Sequence, residues 1–261
     1  MAPSGITEIM RTVLRSSNLI MPTRAPTVQI KSLDAQAIEF ELSFRVRDFS
    51  AASAARHELY DLIYRHLRAA RLMLAPPKEA AASALPQPHD TLAASRPTAL
   101  RLIDAVPLFV SLTEDEKQGL ASTMIPRTFR KGETVAEQGT KLSSLFIIRA
   151  GVLLVTRKEA GGEVELARLS PGDYFGEAGL FTGHGEPGSI RAMTFTVVYE
   201  VGQAALGKLL KDRPSVTEDI SLTLSQRGKH AAVDDASEAE HGSTRSMSEL
   251  MDRIRSAFEL A

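Results

Sequence analysis

The sequence predicts an α+β protein: a small helix–strand–strand–helix domain followed by an antiparallel β-roll (jelly roll) with flanking helices. Three patterns carry this prediction. Apolar residues recur at helical spacing near both ends of the chain. A strict apolar alternation runs through Ile38, Phe40, Leu42, Phe44 and Val46. Between Phe129 and Glu177, glycines punctuate short apolar runs at a spacing of about 8–12 residues, which suits a small antiparallel barrel or jelly roll.

Taken in order, Ile6, Met10, Val13 and Leu14 mark a first helix, and Pro22 and Pro26 end that pattern. Val28 and Ile30 begin an alternation that resumes after Asp34, so two strands with one buried face are expected. From Asp48 to Ala70, the residues Ala55, Leu59, Leu62, Ile63 and Leu67 share one helical face. Two strands and two helices make a thin core, so this unit is expected to lean on neighbouring copies for burial. The stretch Ala75–Pro97 is rich in Ala, Pro and Ser and reads as a linker. The resulting division is 1–77, linker 78–97, a β-roll domain at 98–230, and a polar linker with a short helix at 231–261.

The second domain opens with a helix through Leu100, Ile103 and Val106 up to Pro107. Thr113 and Glu116 have the spacing of a capping box ahead of Leu120. Short strands follow: Thr134-Val135, Leu145–Ile148, Val152–Val155 and Val164–Leu166, with turns at Gly139, Gly151, Gly161-Gly162 and Pro171-Gly172-Asp173. Val233–Thr244 is polar and of low order. Met247, Leu250, Met251, Ile254 and Phe258 then form one apolar stripe, expected to dock on its own domain or on a neighbouring subunit. Glu249, Asp252 and Glu259 offset Arg245, Arg253 and Arg255, which argues against a membrane-surface helix.

Composition narrows the function. A net charge of −1 gives no global field toward nucleic acid. The absence of cysteine excludes disulfides, thiol catalysis and cysteine–zinc sites. No run reaches the roughly 18 apolar residues of a membrane span, and no signal-peptide pattern opens the chain, so a cytoplasmic protein is expected. No Ser/His/Asp or Cys/His constellation appears, so no enzyme is expected and no cofactor is implied. His184 and Glu186 lie close in sequence but have no evident third ligand, so no metal site is expected.

The spacing Gly132-Glu133 … Gly139 … Leu145-Phe146-Ile147 … Gly151-Val152 … Gly172-Asp173 … Phe175-Gly176-Glu177 resembles the cyclic-nucleotide-binding domain family over about 130 residues. The resemblance implies a ligand of the cyclic AMP or cyclic GMP class held by a short turn and helix after Phe-Gly-Glu. Residues Phe175–Ala192, FGEAGLFTGHGEPGSIRA, align without a gap to that family's cassette. The implied ligand-binding positions are Gly176, Glu177, Ala178, Gly179, Leu180, Ser189 and Ile190. Glu177 would accept the ribose hydroxyl; the alternative is a Glu that holds the turn through backbone N–H groups. Ser189 would donate to the phosphate. Gly188 replaces the family's Ala, and Glu186 stands where the family places the Arg that pairs with the cyclic phosphate. A carboxylate there repels a phosphodiester, so weakened or altered nucleotide affinity is expected. Arg191, two residues beyond Ser189, does not restore the contact.

The first unit, with APTVQIKSLDAQAIEFELSFRVRDF at its centre, resembles the C-terminal cytoplasmic domain of the small-conductance mechanosensitive channel family. That resemblance implies a homo-oligomer, usually a heptamer, at the cytoplasmic face of an inner membrane, with membrane contact only through a channel portion absent from this chain. Together the two resemblances suggest a cyclic-nucleotide-sensing regulatory portion of such a channel or of a soluble relative. The competing reading is a degenerate β-roll that serves oligomerisation or interaction. A helix-turn-helix transcription regulator is disfavoured, because no basic recognition helix follows the roll.

Overall fold

The computed structural model describes residues 3–21, 25–33, 37–72, 74, 96–234 and 247–258. Most of the expected linker Ala75–Pro97 and the part of the polar stretch Val233–Thr244 beyond Asp234 lie outside the described residues.

The first unit has the expected order: α1 (Pro3–Ser16), β1 (Thr27–Leu33), β2 (Ile38–Ser43) and α2 (Ala51–Ala69). The strands pair antiparallel, with Thr27 opposite Ser43 and Leu33 opposite Ile38. Met10, Val13 and Leu14 of α1 meet Leu59, Leu62 and Leu67 of α2 in one core cluster. The sheet departs from expectation. Its alternating residues Phe40 and Leu42 are only half-buried, and Ile30 is 48% exposed. The two helices pack mainly on each other, so among the described residues the two short strands have little apolar cover.

The second unit begins with α3 (Thr98–Ala105), a 3₁₀ turn at Pro107–Phe109 and α4 (Glu114–Ser122). The capping box forms: Thr113 Oγ1 accepts from the Glu116 N–H, and Glu116 Oε2 accepts from the Thr113 N–H at 2.7 Å. The roll follows as β3 (Ile125–Phe129), β4 (Thr134–Ala136), β5 (Ser144–Ala150), β6 (Leu153–Glu159), β7 (Gly162–Leu169), β8 (Tyr174–Phe175), α5 (Glu177–Thr182), β9 (Ser189–Ala192) and β10 (Thr196–Gly202). It closes with α6 (Gln203–Asp212), α7 (Ser215–Asp234) and α8 (Met247–Ala257). Two four-stranded antiparallel sheets result, in the orders β3-β10-β5-β8 and β4-β9-β6-β7.

Strand β5 explains how the roll holds together. Side chains alternate across a strand. Ile148 and Phe146 face the roll interior with Val155, Phe175, Ile190 and Val198. Leu145 and Ile147 face the other way, into a helical layer with Leu206, Leu210, Ile254 and Phe258. Both faces are covered, so Leu145–Ile148 reads as a continuous apolar run rather than an alternation. The apolar stripe of α8 docks on its own domain, as one of the two expectations held: Leu250, Ile254 and Phe258 are buried, and Phe258 meets Phe181 of α5 at 5.8 Å between ring centroids.

Two arginines that sequence patterns did not single out tie the units together, and Arg71 adds a third tie through Nη2 to Thr98 Oγ1 at 3.3 Å. Arg65 of α2 donates from Nε to the Pro171 carbonyl at 2.6 Å and pairs with Asp173 at 2.7 Å. Arg168 of β7 donates from Nη1 to the carbonyls of Arg15, in the last turn of α1, and Ser17, just beyond it, at 3.1 and 2.8 Å.

Candidate functional site

The cassette bridges the two sheets. Strand β8 belongs to one, β9 to the other, and α5 lies between them. Gly176 begins it in the left-handed region with φ 93°. A Cβ there would lie 2.2 Å from the Ser144 carbonyl oxygen, so only glycine allows this turn to pass β5. Glu177 opens α5 and is half-buried. Ala178 accepts at its carbonyl from Thr182 Oγ1 at 2.6 Å and from the His184 N–H at 3.1 Å, which closes the helix. Gly179 packs against the backbone of Leu142, with no room for a side chain.

Two of the expected ligand contacts sit deeper than a ligand contact requires. Leu180 is 2% and Ile190 1% exposed. Leu180 belongs to the helical core and Ile190 to the roll interior, opposite Val155. Their side chains fix the ends of the cassette. The alternation of β9 buries Ile190 and exposes Arg191, which lies on the strand as expected.

Ser189 is engaged by the chain itself. Its hydroxyl accepts from the Gln138 N–H at 3.0 Å and lies 3.1 Å from Glu137 Oε2, to which it donates. Gln138 in turn accepts from the Lys158 N–H through Oε1 at 3.0 Å. The loop from Glu137 to Thr140 is therefore part of the site. Gly139 was its only sequence signal, because these partners lie about fifty residues away along the chain.

Glu186 is laced into the same loop. Its N–H donates to the Thr140 carbonyl and its carbonyl accepts from the Gly139 N–H, both at 2.9 Å. Its side chain is 6% exposed. The Arg position of the cassette thus holds a buried carboxylate, and a second carboxylate, Glu137, bonds the hydroxyl expected to serve the phosphate. Gly188 also has a local reason: a Cβ there would lie 2.5 Å from the Thr156 carbonyl oxygen on β6, so the family's Ala does not fit this backbone. His184 Nδ1 is 2.9 Å from Thr182 Oγ1. Among the described residues no group of three His, Asp or Glu side chains could hold a metal, and no helix is long and apolar enough to cross a membrane.

Comparison with known proteins agrees with this geometry. The family model described as cyclic nucleotide-binding domain matches residues 126–213. The cAMP-dependent protein kinase type II regulatory subunit of Drosophila melanogaster is 30% identical over 91 residues, covering 35% of this chain and 24% of that protein. The cAMP-dependent protein kinase regulatory subunit of Mycosarcoma maydis is 40% identical over 75 residues, covering 29% and 14%. The chain thus spans about a quarter or less of the length of these two relatives. Among solved structures, the Thermus thermophilus catabolite activator protein aligns at 26% identity over 50% of this chain and 62% of that one, with a TM-score of 0.45. The matched segment holds both sheets of the roll, the Phe-Gly-Glu turn and α5, so it is over residues 126–213 that the chain is similar to the cyclic nucleotide-binding domain family.

Proposed function

We propose that the chain is a ligand-sensing regulatory module whose roll takes a cyclic nucleotide with weakened or altered affinity and passes the event to the first unit. The observation that carries this is the pairing of an intact Phe175-Gly176-Glu177 turn with Glu186 in place of the phosphate-binding Arg. Gly176, Glu177, Ala178 and Gly179 supply the ribose side and the first turn of α5, where backbone N–H groups lack partners inside the helix. Glu186 and Glu137 oppose the phosphate. A lost charge-assisted contact costs about 1.5–3 kcal/mol, and repulsion adds to it.

The route outward is short. The turn Pro171-Gly172-Asp173 that Arg65 grips lies immediately before β8 and the cassette. On the other side, α8 lies on α5 through Phe181 and Phe258. Coupling requires that the nucleotide prefer one arrangement of these contacts over another. The α1-β1-β2-α2 order supports reading the first unit as the cytoplasmic domain of a mechanosensitive-type channel or of a soluble relative. A homo-oligomer would cover Leu33, 68% exposed, and Phe49, 96% exposed.

Calorimetric titration of the full chain with cyclic AMP and cyclic GMP tests the proposal. Weak saturable binding is expected, strengthened about tenfold or more in Glu186→Arg. Glu186→Gln, which removes charge with little change of volume, should strengthen it in the same direction. No heat and no thermal shift at millimolar ligand in the wild type would overturn the sensing claim. Binding that appears only in Glu186→Arg would assign the roll to oligomerisation or interaction instead.

A further inference from the structure

A cleft lies away from the cassette, where the first unit meets the roll. This cleft of about 550 Å³ is bounded by α2, α3, the end of β5, the Pro171–Tyr174 turn and α7. Its charge is lopsided. Arg65, Arg68, Arg101 and Arg149 line it against Asp61 and Asp173, four positive charges to two negative. Both aspartates are already engaged with Arg65, at 3.4 and 2.7 Å. Arg68, Arg101 and Arg149 form no ion pair among the described residues.

Arg101 is the residue that needs an explanation. Its Nε is buried and has no hydrogen-bond partner among the described residues. Its Nη2 approaches Thr98 Oγ1 at 3.4 Å, and Arg71 Nη2 approaches the same hydroxyl at 3.3 Å. Two guanidinium groups therefore converge on one neutral oxygen. Burial first, then Arg71, Arg68 and Arg149, push the Arg101 guanidinium below its ordinary pKa. An unmatched donor beside converging cations is costly to hold and is relieved by an anion.

We propose that this cleft is a binding site for a small organic molecule carrying a phosphate or diphosphate group, held by Arg101 with Arg68 and Arg149. The arginine fork matches phosphate oxygens in a bidentate way that a lysine cannot. The cavity volume lies within the usual range for small-molecule sites, about 300–1,000 Å³. Leu102, Ala105 and Pro107 supply an apolar wall for the body of the ligand, and Tyr64 an aromatic one. The site stands independently of nucleotide binding in the cassette. Because Arg65 joins the cleft to the turn before the cassette, an occupant would sit on the contact between the two units.

Titration of the full chain with inorganic pyrophosphate and with 5′-ADP, each at low and high salt, tests it. Both are expected to bind saturably, with 5′-ADP at least tenfold tighter because the apolar wall adds to the phosphate contacts. Arg68→Ser, at an exposed position that tolerates change, should weaken both at least fivefold, and Arg101→Lys should weaken both at least tenfold while keeping the charge. Absence of saturable binding of either probe at 10 mM would overturn the proposal. So would binding indifferent to Arg68→Ser and Arg101→Lys. Equal affinity for the two probes would overturn the organic body of the ligand.

Discussion

The first unit and the roll are built from similar short antiparallel strands, yet they bury them very differently. In the roll, β5 is covered on both faces, and Leu145, Ile147 and Ile148 are each 0% exposed. In the first unit, β1 is exposed along nearly its whole length and β2 is half-buried on one face. The roll completes its core within one chain. Among the described residues the first unit completes only its helix–helix seam, and its sheet stays half-exposed or exposed. A sequence alternation therefore reports that a face is destined for burial, without saying whether the same chain supplies the partner.

Three measurements bear on that contrast. The largest effect is expected in the roll, where tight backbone packing leaves no slack. Gly176→Ala places a side chain at φ 93° against the Ser144 carbonyl, and should cost about 4 kcal/mol in urea unfolding. A loss under 1 kcal/mol would mean that the turn relaxes and that the roll is looser than its geometry implies.

The next effect belongs to the helix seam of the first unit. His66 is 5% exposed and contacts Ser16 Oγ at 3.0 Å. Burial, with Arg65 adjacent, lowers its pKa from 6.5 to about 4. The folded state thus keeps His66 neutral down to about pH 4, whereas the unfolded chain takes up a proton below about pH 6.5. Between those values the unfolded state binds more protons, so stability is intact above pH 6.5 and falls as the pH drops toward 4. The loss reaches about 3 kcal/mol. His66→Gln should flatten that part of the profile; an unchanged profile would place the pH sensitivity elsewhere.

The smallest effect on stability, and the most informative on assembly, comes from the sheet side. Leu33→Ser with Phe49→Ser changes two exposed side chains and should alter unfolding by no more than about 0.5 kcal/mol. In sedimentation velocity the wild type should sediment as an assembly and the double variant as smaller species. A wild type that is already monomeric would show that no second copy covers the sheet.

Much of the fold was legible because it is local. The capping box at Thr113, the helical stripes of α1, α2 and α8, and the glycine turns each need only a few neighbouring residues to specify them. The Phe-Gly-Glu cassette was legible for the same reason. Ser189 follows the Phe-Gly-Glu turn in sequence, yet its hydroxyl is held by Glu137 and Gln138, partners that periodicity cannot predict. Leu180 and Ile190 look like cassette residues in sequence, but their side chains belong to two different cores. His66 went unseen because a polar residue on an apolar face disrupts the pattern used to find that face. Arg65 and Arg168 went unseen because their partners across the units, backbone carbonyls and for Arg65 also Asp173, lie more than a hundred residues away, beyond the reach of any local pattern.

Those two arginines have a mechanical consequence. A body fixed to another at a single point can rotate about three axes; fixed at two, it retains only the axis that joins them. Arg168 pins the chain just beyond α1, and Arg65 pins α2 to the turn ahead of the cassette. A third tie, Arg71 Nη2 to Thr98 Oγ1 at 3.3 Å, restrains that last axis as well, so the first unit swings on the roll only when one of the three is released.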